Sequence, residues 1–347
     1  MVNSFLGNVV QKLKVQQPNW ENICFVLPNR RAQIFLQKEL TGALEGPLIL
    51  PQSFSIDDFV VAISMLKPAT DLEQQQALYQ SYCKLIDKSE KPNSFETFLG
   101  WSTPLLKDLN TIDQYLVDRK DFFSYMSSLN EIRAWGQSQD KMIQDYTAFW
   151  KRLPAIYKQF LQRLEESGQT TPGMCYRMST ELLESFIQHN SKTQFVFCGF
   201  NALSPSEIFI VRELLSQERA QVFWDIDKQM LNDELHQAGG FIRKYISSWP
   251  EYKQKPFDQA HKFFHAPKEI EVTEVQQQVG QAKEIGSLLA KMDTKQDWSK
   301  TAIVLADESL LMPLLYALPP SIEKLNITMG LPLDQHPIAI FINALLK

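Results

Sequence analysis

Disulfide chemistry is the first thing this sequence has little of. Four cysteines occur in 347 residues, Cys24, Cys83, Cys175 and Cys198, scattered, three of them in apolar settings. That usage excludes a disulfide framework and fits structural thiols in a reducing compartment. Long apolar runs are missing as well, since none approaches the about 20 residues that a membrane-spanning helix needs. The opening MVNSFLGNVVQKLK puts its lysines after its apolar part, the reverse of a secretory signal, and has no small-residue cleavage site. The expected location is cytoplasmic, with no membrane partner. An excess of positive charge is also absent. The net charge is −5, so any nucleic-acid contact must come from a local basic patch. What remains, 44% hydrophobic and 22% charged, is an ordinary globular composition, long enough for two or three domains.

Within that composition, Thr193 to Leu215 reads strand, turn, helix. Phe195-Val196-Phe197 is a buried-strand run, and Cys198-Gly199-Phe200-Asn201 breaks it. Ser204, Pro205 and Glu207 then form a capping box with proline at the first helical position. Ile23 to Leu27 is a second buried strand, followed by Pro28-Asn29-Arg30-Arg31. Asn29 caps the next helix, which places Arg30 and Arg31 at the positive end of its dipole, unfavourable by about 0.3–1 kcal/mol each when exposed. Such a placement predicts a compensating anion, either a phosphate or a carboxylate neighbour. Leu48 to Pro51 reads as a further short strand, and Ser55 with Asp58 opens a helix. Ala220 to Asp227 reads as another strand, with Asp225 and Asp227 on one face of its end. Those two acids suit a metal or a turn. His261 and His265 have zinc-ligand spacing on a helix, but no third ligand stands near them.

Between these α/β segments, residues 70–190 carry almost no strand pattern, and helices are expected over 71–88, 94–109, 111–128, 140–166 and 174–189. In Lys141 to Arg163, the cations Lys141, Lys151, Arg152, Lys158 and Arg163 meet one acid, Asp145, and aromatics interleave them. That texture suits a nucleic-acid backbone with stacked bases, though more often it marks a helix with an aromatic core face and a solvated basic one. From Pro267 a β-α-β-α series begins, with strands at Ile270 to Val275 and Thr301 to Ala306 and a last helix after Pro337. Two strands rarely stand alone as a sheet, so the chain is expected to continue beyond Lys347.

This layout resembles superfamily-1 helicases, and more closely the amino-terminal region of AddB-type (RexB-like) helicase–nuclease subunits of the PD-(D/E)XK nuclease family. The motifs that carry the resemblance are FVLPNRRA (25–32), FVFCGFNALSPSE (195–207), FWDID (223–227), AGGFIRK (238–244) and NITMGLPL (326–333). The resemblance implies a P-loop-NTPase-like α/β fold with a parallel sheet. Residues 1–69 and 191–266 would form a degenerate first motor domain, 70–190 an all-helical insertion, and 267–347 the start of a second α/β domain. It also implies a nuclease domain past residue 347 that uses Mg²⁺, an exonuclease activity of the full-length protein in double-strand-break repair and recombination, and a partner subunit of AddA type. No G-x-x-x-x-G-K-[ST] loop exists, and Cys198-Gly199 stands where an active motor has Asp-Glu. No catalytic residue, metal ligand or cofactor is therefore expected in this stretch. The expected role is non-catalytic binding of DNA, single-stranded or at duplex ends. Candidate contacts are Asn29, Arg30 and Arg31 at the first turn, Phe200 and Asn201 above the sheet, and Lys151 and Arg152 in the insertion. The alternatives are a protein scaffold and a residual ATPase using Asp225 or Asp227.

Overall fold

The computed structural model describes residues 4–16, 20–43, 50–86, 92–134, 141–253, 261, 264–292, 298–330, 333 and 336–346. The chain divides into two compact units, Met1–Ala266 and Pro267–Lys347. In the first, five consecutive apolar residues form β1 (Ile23–Leu27), buried along its whole length. A strand buried on both faces reads as a continuous apolar run and belongs inside a parallel sheet. β1 pairs in parallel with β2 (Gln52–Ser55) and β3 (Gln194–Cys198), and β4 (Ala220–Phe223) flanks β3, giving the order β2-β1-β3-β4. The unit is α/β with an all-parallel sheet, as its sequence pattern predicts.

β2 corrects the expected strand at Leu48 to Pro51. Residues 44–49 lie outside the described residues, and the strand itself starts at Gln52. Its sequence, QSFS, has little strand propensity, but pairing of Cys24 to Leu27 with Gln52 to Ser55 overrides that preference.

Helices cover both faces of the sheet. On one lie α1 (Phe5–Gln16) and α2 (Arg30–Ala43), whose Val9, Val10, Leu13, Leu36 and Leu40 pack on Phe25, Leu27, Val196 and Cys198. On the other, α3 (Ile56–Ser64) sets Phe59, Val60 and Ile63 against Val26, Phe195 and Phe197. Each such side chain contributes about 1.5–3 kcal/mol when fully buried. Ser55 caps α3 by accepting from the Asp58 amide.

The insertion follows as α4 (Asp71–Leu85), α5 (Phe95–Gln114), α6 (Arg119–Ala134) and α7 (Lys141–Glu166). Its core is its own, built from Leu78, Phe98, Leu109, Phe123, Leu153, Tyr157 and Phe160. The backbone entering it and the backbone leaving it touch. Ala69 N donates to Thr170 O at 2.8 Å and Thr170 N to Lys67 O at 2.9 Å, bridging Pro68 with Thr170.

α8 (Pro172–His189) lies within the expected insertion but packs on both parts: it seats against α5, while its Tyr176, Leu183 and Ile187 join the core beneath the sheet. α9 (Pro205–Ser216) covers the same face and opens with the expected capping box, Ser204 with Glu207. Then come α10 (Lys228–Asn232), α11 (Gly240–Ser248) and α12 (Pro250–Lys253). Trp224, Tyr245, Trp249 and Tyr252 stack in series there, and Trp224 Nε1 donates to Tyr252 Oη at 2.7 Å.

In the second unit, α13 (Gln278–Lys291) packs on α14 (Leu311–Ala317), and α15 (Pro337–Leu346) is apolar and exposed. Neither expected strand forms among its described residues. Val272 and Val304 are 90% and 87% exposed, because no neighbouring strand offers them hydrogen bonds or a covered face. Among the described residues of the chain, no helix is long and apolar enough to cross a membrane.

Candidate nucleic-acid interface

From β1 the sheet grows to β2 on one side and to β3 on the other. The carboxyl ends of β1 and β3 therefore flank a topological switch point, where open α/β sheets bind their ligands. The turns after these two strands are Pro28-Asn29 and Gly199-Phe200-Asn201, so the first-turn and sheet-top candidates named above come from one rim.

Asn29 does what its position predicts, its Oδ1 accepting from Ala32 N at 3.0 Å. Arg30 does not face an open anion site. Its Nε and Nη2 donate to Asp58 at 2.9 and 2.6 Å, although 80% of the side chain stays exposed. The compensating anion is thus the Asp58 carboxylate in the first turn of α3, which also accepts from Ser55 Oγ at 2.6 Å. The hydrogen bond from Arg30 holds Asp58 below the usual aspartate range, against a smaller opposing effect of burial. Arg31 is exposed, and no ion pair joins it among the described residues.

Phe200 is a correction. It is 7% exposed, its ring lies 6.1 Å from that of Phe197, and it belongs to the core rather than the crevice. The left-handed Gly199, at φ +76°, turns the chain so that Phe200 points inward and Asn201 stays exposed. Cys198 ends β3 fully buried, and burial pushes its thiol far above the ordinary range, so it is inert as a nucleophile or metal ligand. The Phe5 ring lies beside this point. A Cβ built on Gly199 would touch the Phe5 ring at 3.5 Å, and that ring meets His261 edge-on at 6.1 Å.

The acids after β4 serve the local fold. Asp227 caps α10 through Gln229 N at 2.9 Å and also accepts from Phe264 N at 2.8 Å. Asp225 lies 3.4 Å from His261. His261 is in a bridge with Asp227 rather than on a helix, and His265 turns to Gln229 at 3.3 Å, so their i, i+4 spacing is not that of two ligands on one helix face.

Two features escaped the sequence. Beneath the rim, Tyr176 Oη donates to Asp57 Oδ1 at 2.6 Å, and the buried Glu207 has its carboxyl pushed up by desolvation. The acid doublet Asp57-Asp58 is the signal for the first of these in the sequence. In the insertion, Lys151 lines a groove between α6 and α7 with Lys158, while Arg152 does not line it. Arg119 and Lys120 complete that groove. Aspartates at 118 and 121 flank them, so this stretch of α6 shows no charge bias along the chain.

No protein-family model matches this chain, and no curated protein matches it.

Proposed function

We propose that this chain is a non-catalytic, helicase-like DNA-binding and scaffolding region of an AddB-type helicase–nuclease acting in double-strand-break repair. On this reading the sheet is a degenerate P-loop-like motor domain, the partner is an AddA-type subunit, and the compartment is the cytoplasm. Mg²⁺-dependent exonuclease chemistry belongs to the remainder of the full-length protein.

The observation that carries the reading is the composition of the switch-point crevice. β3 ends in a buried thiol and a glycine beside the Phe5 ring, where a motor needs a magnesium-holding acid. The rim keeps an exposed cation, Arg31, and an exposed amide, Asn201. Such a rim can contact a phosphate backbone without hydrolysing a nucleotide.

A labelled oligonucleotide titrated across salt tests this. Binding is expected to weaken linearly in log salt, with a slope of about −0.7 for each phosphate contact on a single strand. Arg31→Ala should lower both affinity and slope, whereas Arg30→Ala should do less because Asp58 already holds that guanidinium. No binding at low salt would leave the protein scaffold, which the exposed Ile338, Phe341 and Leu345 of α15 favour. Magnesium-dependent ATP turnover lost in Asp225→Asn or Asp227→Asn would establish the residual ATPase instead.

A further inference from the structure

The groove between α6 and α7, about 890 Å³ in volume, gathers Arg119, Lys120, Lys151 and Lys158 against one acid, Glu165. On α7 its lining recurs at 151, 154, 158 and 161, a single helical face. Trp150, partly exposed, and Leu161 give it apolar wall. In a chain of net charge −5, the lining of this groove carries a local positive excess.

One of these cations is fixed in place. Arg119 donates through Nε at 2.7 Å and Nη2 at 2.5 Å to Asp113, whose side chain is wholly buried. The same carboxylate accepts from Arg177 Nε at 2.9 Å and from the Tyr157 hydroxyl. Two guanidiniums share one carboxylate, which leaves a positive excess beneath the groove. The Arg119 guanidinium also lies over the Tyr157 ring, 5.3 Å from its centroid. A side chain already held in one rotamer loses little entropy when an anion arrives.

We propose that this groove binds a single strand of nucleic acid. Its phosphates lie along Lys151, Lys158 and Arg119, and a base packs on Trp150. The proposal rests on the DNA-binding reading above and says where the strand runs. Lys151 and Lys158 stand two helical turns apart, roughly 10 Å, so one strand running along α7 meets both. A base that stacks on Trp150 must be unpaired and turned outward, which favours a single strand over a duplex. Phosphate contact supplies affinity and stacking accepts any base, so the expected binding is sequence-tolerant.

The experiment titrates the 347-residue chain with labelled oligothymidylate and with a duplex of equal length, followed by anisotropy, alongside the variants Lys151→Glu/Lys158→Glu and Arg31→Ala. Expected are tighter binding to the single strand, about tenfold weaker binding by the double variant, and an unchanged melting transition by circular dichroism. If charge reversal disturbs folding, Lys151→Ala and Lys158→Ala are compared singly, each expected to weaken binding and flatten the salt slope. Wild-type affinity in the groove variants together with loss in Arg31→Ala would overturn the groove and leave the proposed function standing. Tighter binding to the duplex would overturn the single-strand assignment. No binding by the wild-type chain at low salt would overturn both.

Discussion

Arg30 and Arg31 are adjacent in sequence and differ in circumstance. Both begin α2, where a cation opposes the helix dipole, and among the described residues only Arg30 meets a carboxylate. That contact fixes the pH behaviour of Asp58. Its folded pKa lies below the ordinary value, so the pair's stabilisation is present above the unfolded pKa. It fades as pH falls through the lower, folded one. In an acid titration followed by carboxyl NMR, Arg30→Ala should move the Asp58 midpoint upward toward the ordinary aspartate range. An unmoved midpoint would mean that Ser55, not Arg30, sets it. The anion predicted from the first-turn arginines was legible, but its identity was not, because Asp58 is 28 residues away in sequence. Phe200 misled for a related reason. A C-G-F-N turn shows where the chain bends and says nothing of which side chain the left-handed glycine turns inward.

At the scale of elements, what the sequence made legible was local. The box at Ser204–Glu207 forms as expected, and a second forms at Thr70–Glu73, since a cap involves only the first turn. β2 was misplaced because its strand character comes from β1 rather than from QSFS. The second unit's strands failed by the converse route, having propensity without a partner. The α5–α8 contact shows how tightly helices can be seated where glycine allows it. Gly173 N donates to Asn110 Oδ1 at 2.7 Å, and a Cβ on Gly173 would stand 2.7 Å from Asn110 Cα. That obstacle is backbone and cannot rotate away. Gly173→Ala should therefore cost about 1–3 kcal/mol in chemical denaturation, the range for overpacking. Gly100→Ala, with nothing within 4 Å of the new Cβ and a helical backbone, serves as the control and should be neutral or slightly stabilising. Equal losses in both would show that the α5–α8 seat has room.

For the first unit as a whole, two cores are built by one thread, one around the sheet and one inside the insertion. A chain in which residues 71–169 are replaced by a short Gly/Ser linker should still melt cooperatively. It should be less stable than the parent, because Arg177 loses Asp113 and Gly173 loses Asn110. Loss of a cooperative transition in circular dichroism would show that the sheet depends on the insertion to fold.

The bridge between Pro68 and Thr170 makes that replacement conceivable. Because the two crossings lie side by side, the helical module enters and leaves the sheet's chain at one place, and α5 also seats on α8. A gene could acquire, exchange or shed such a module at one locus without re-threading a strand. The groove between α6 and α7 and the sheet edge are then free to diverge as separately inherited parts.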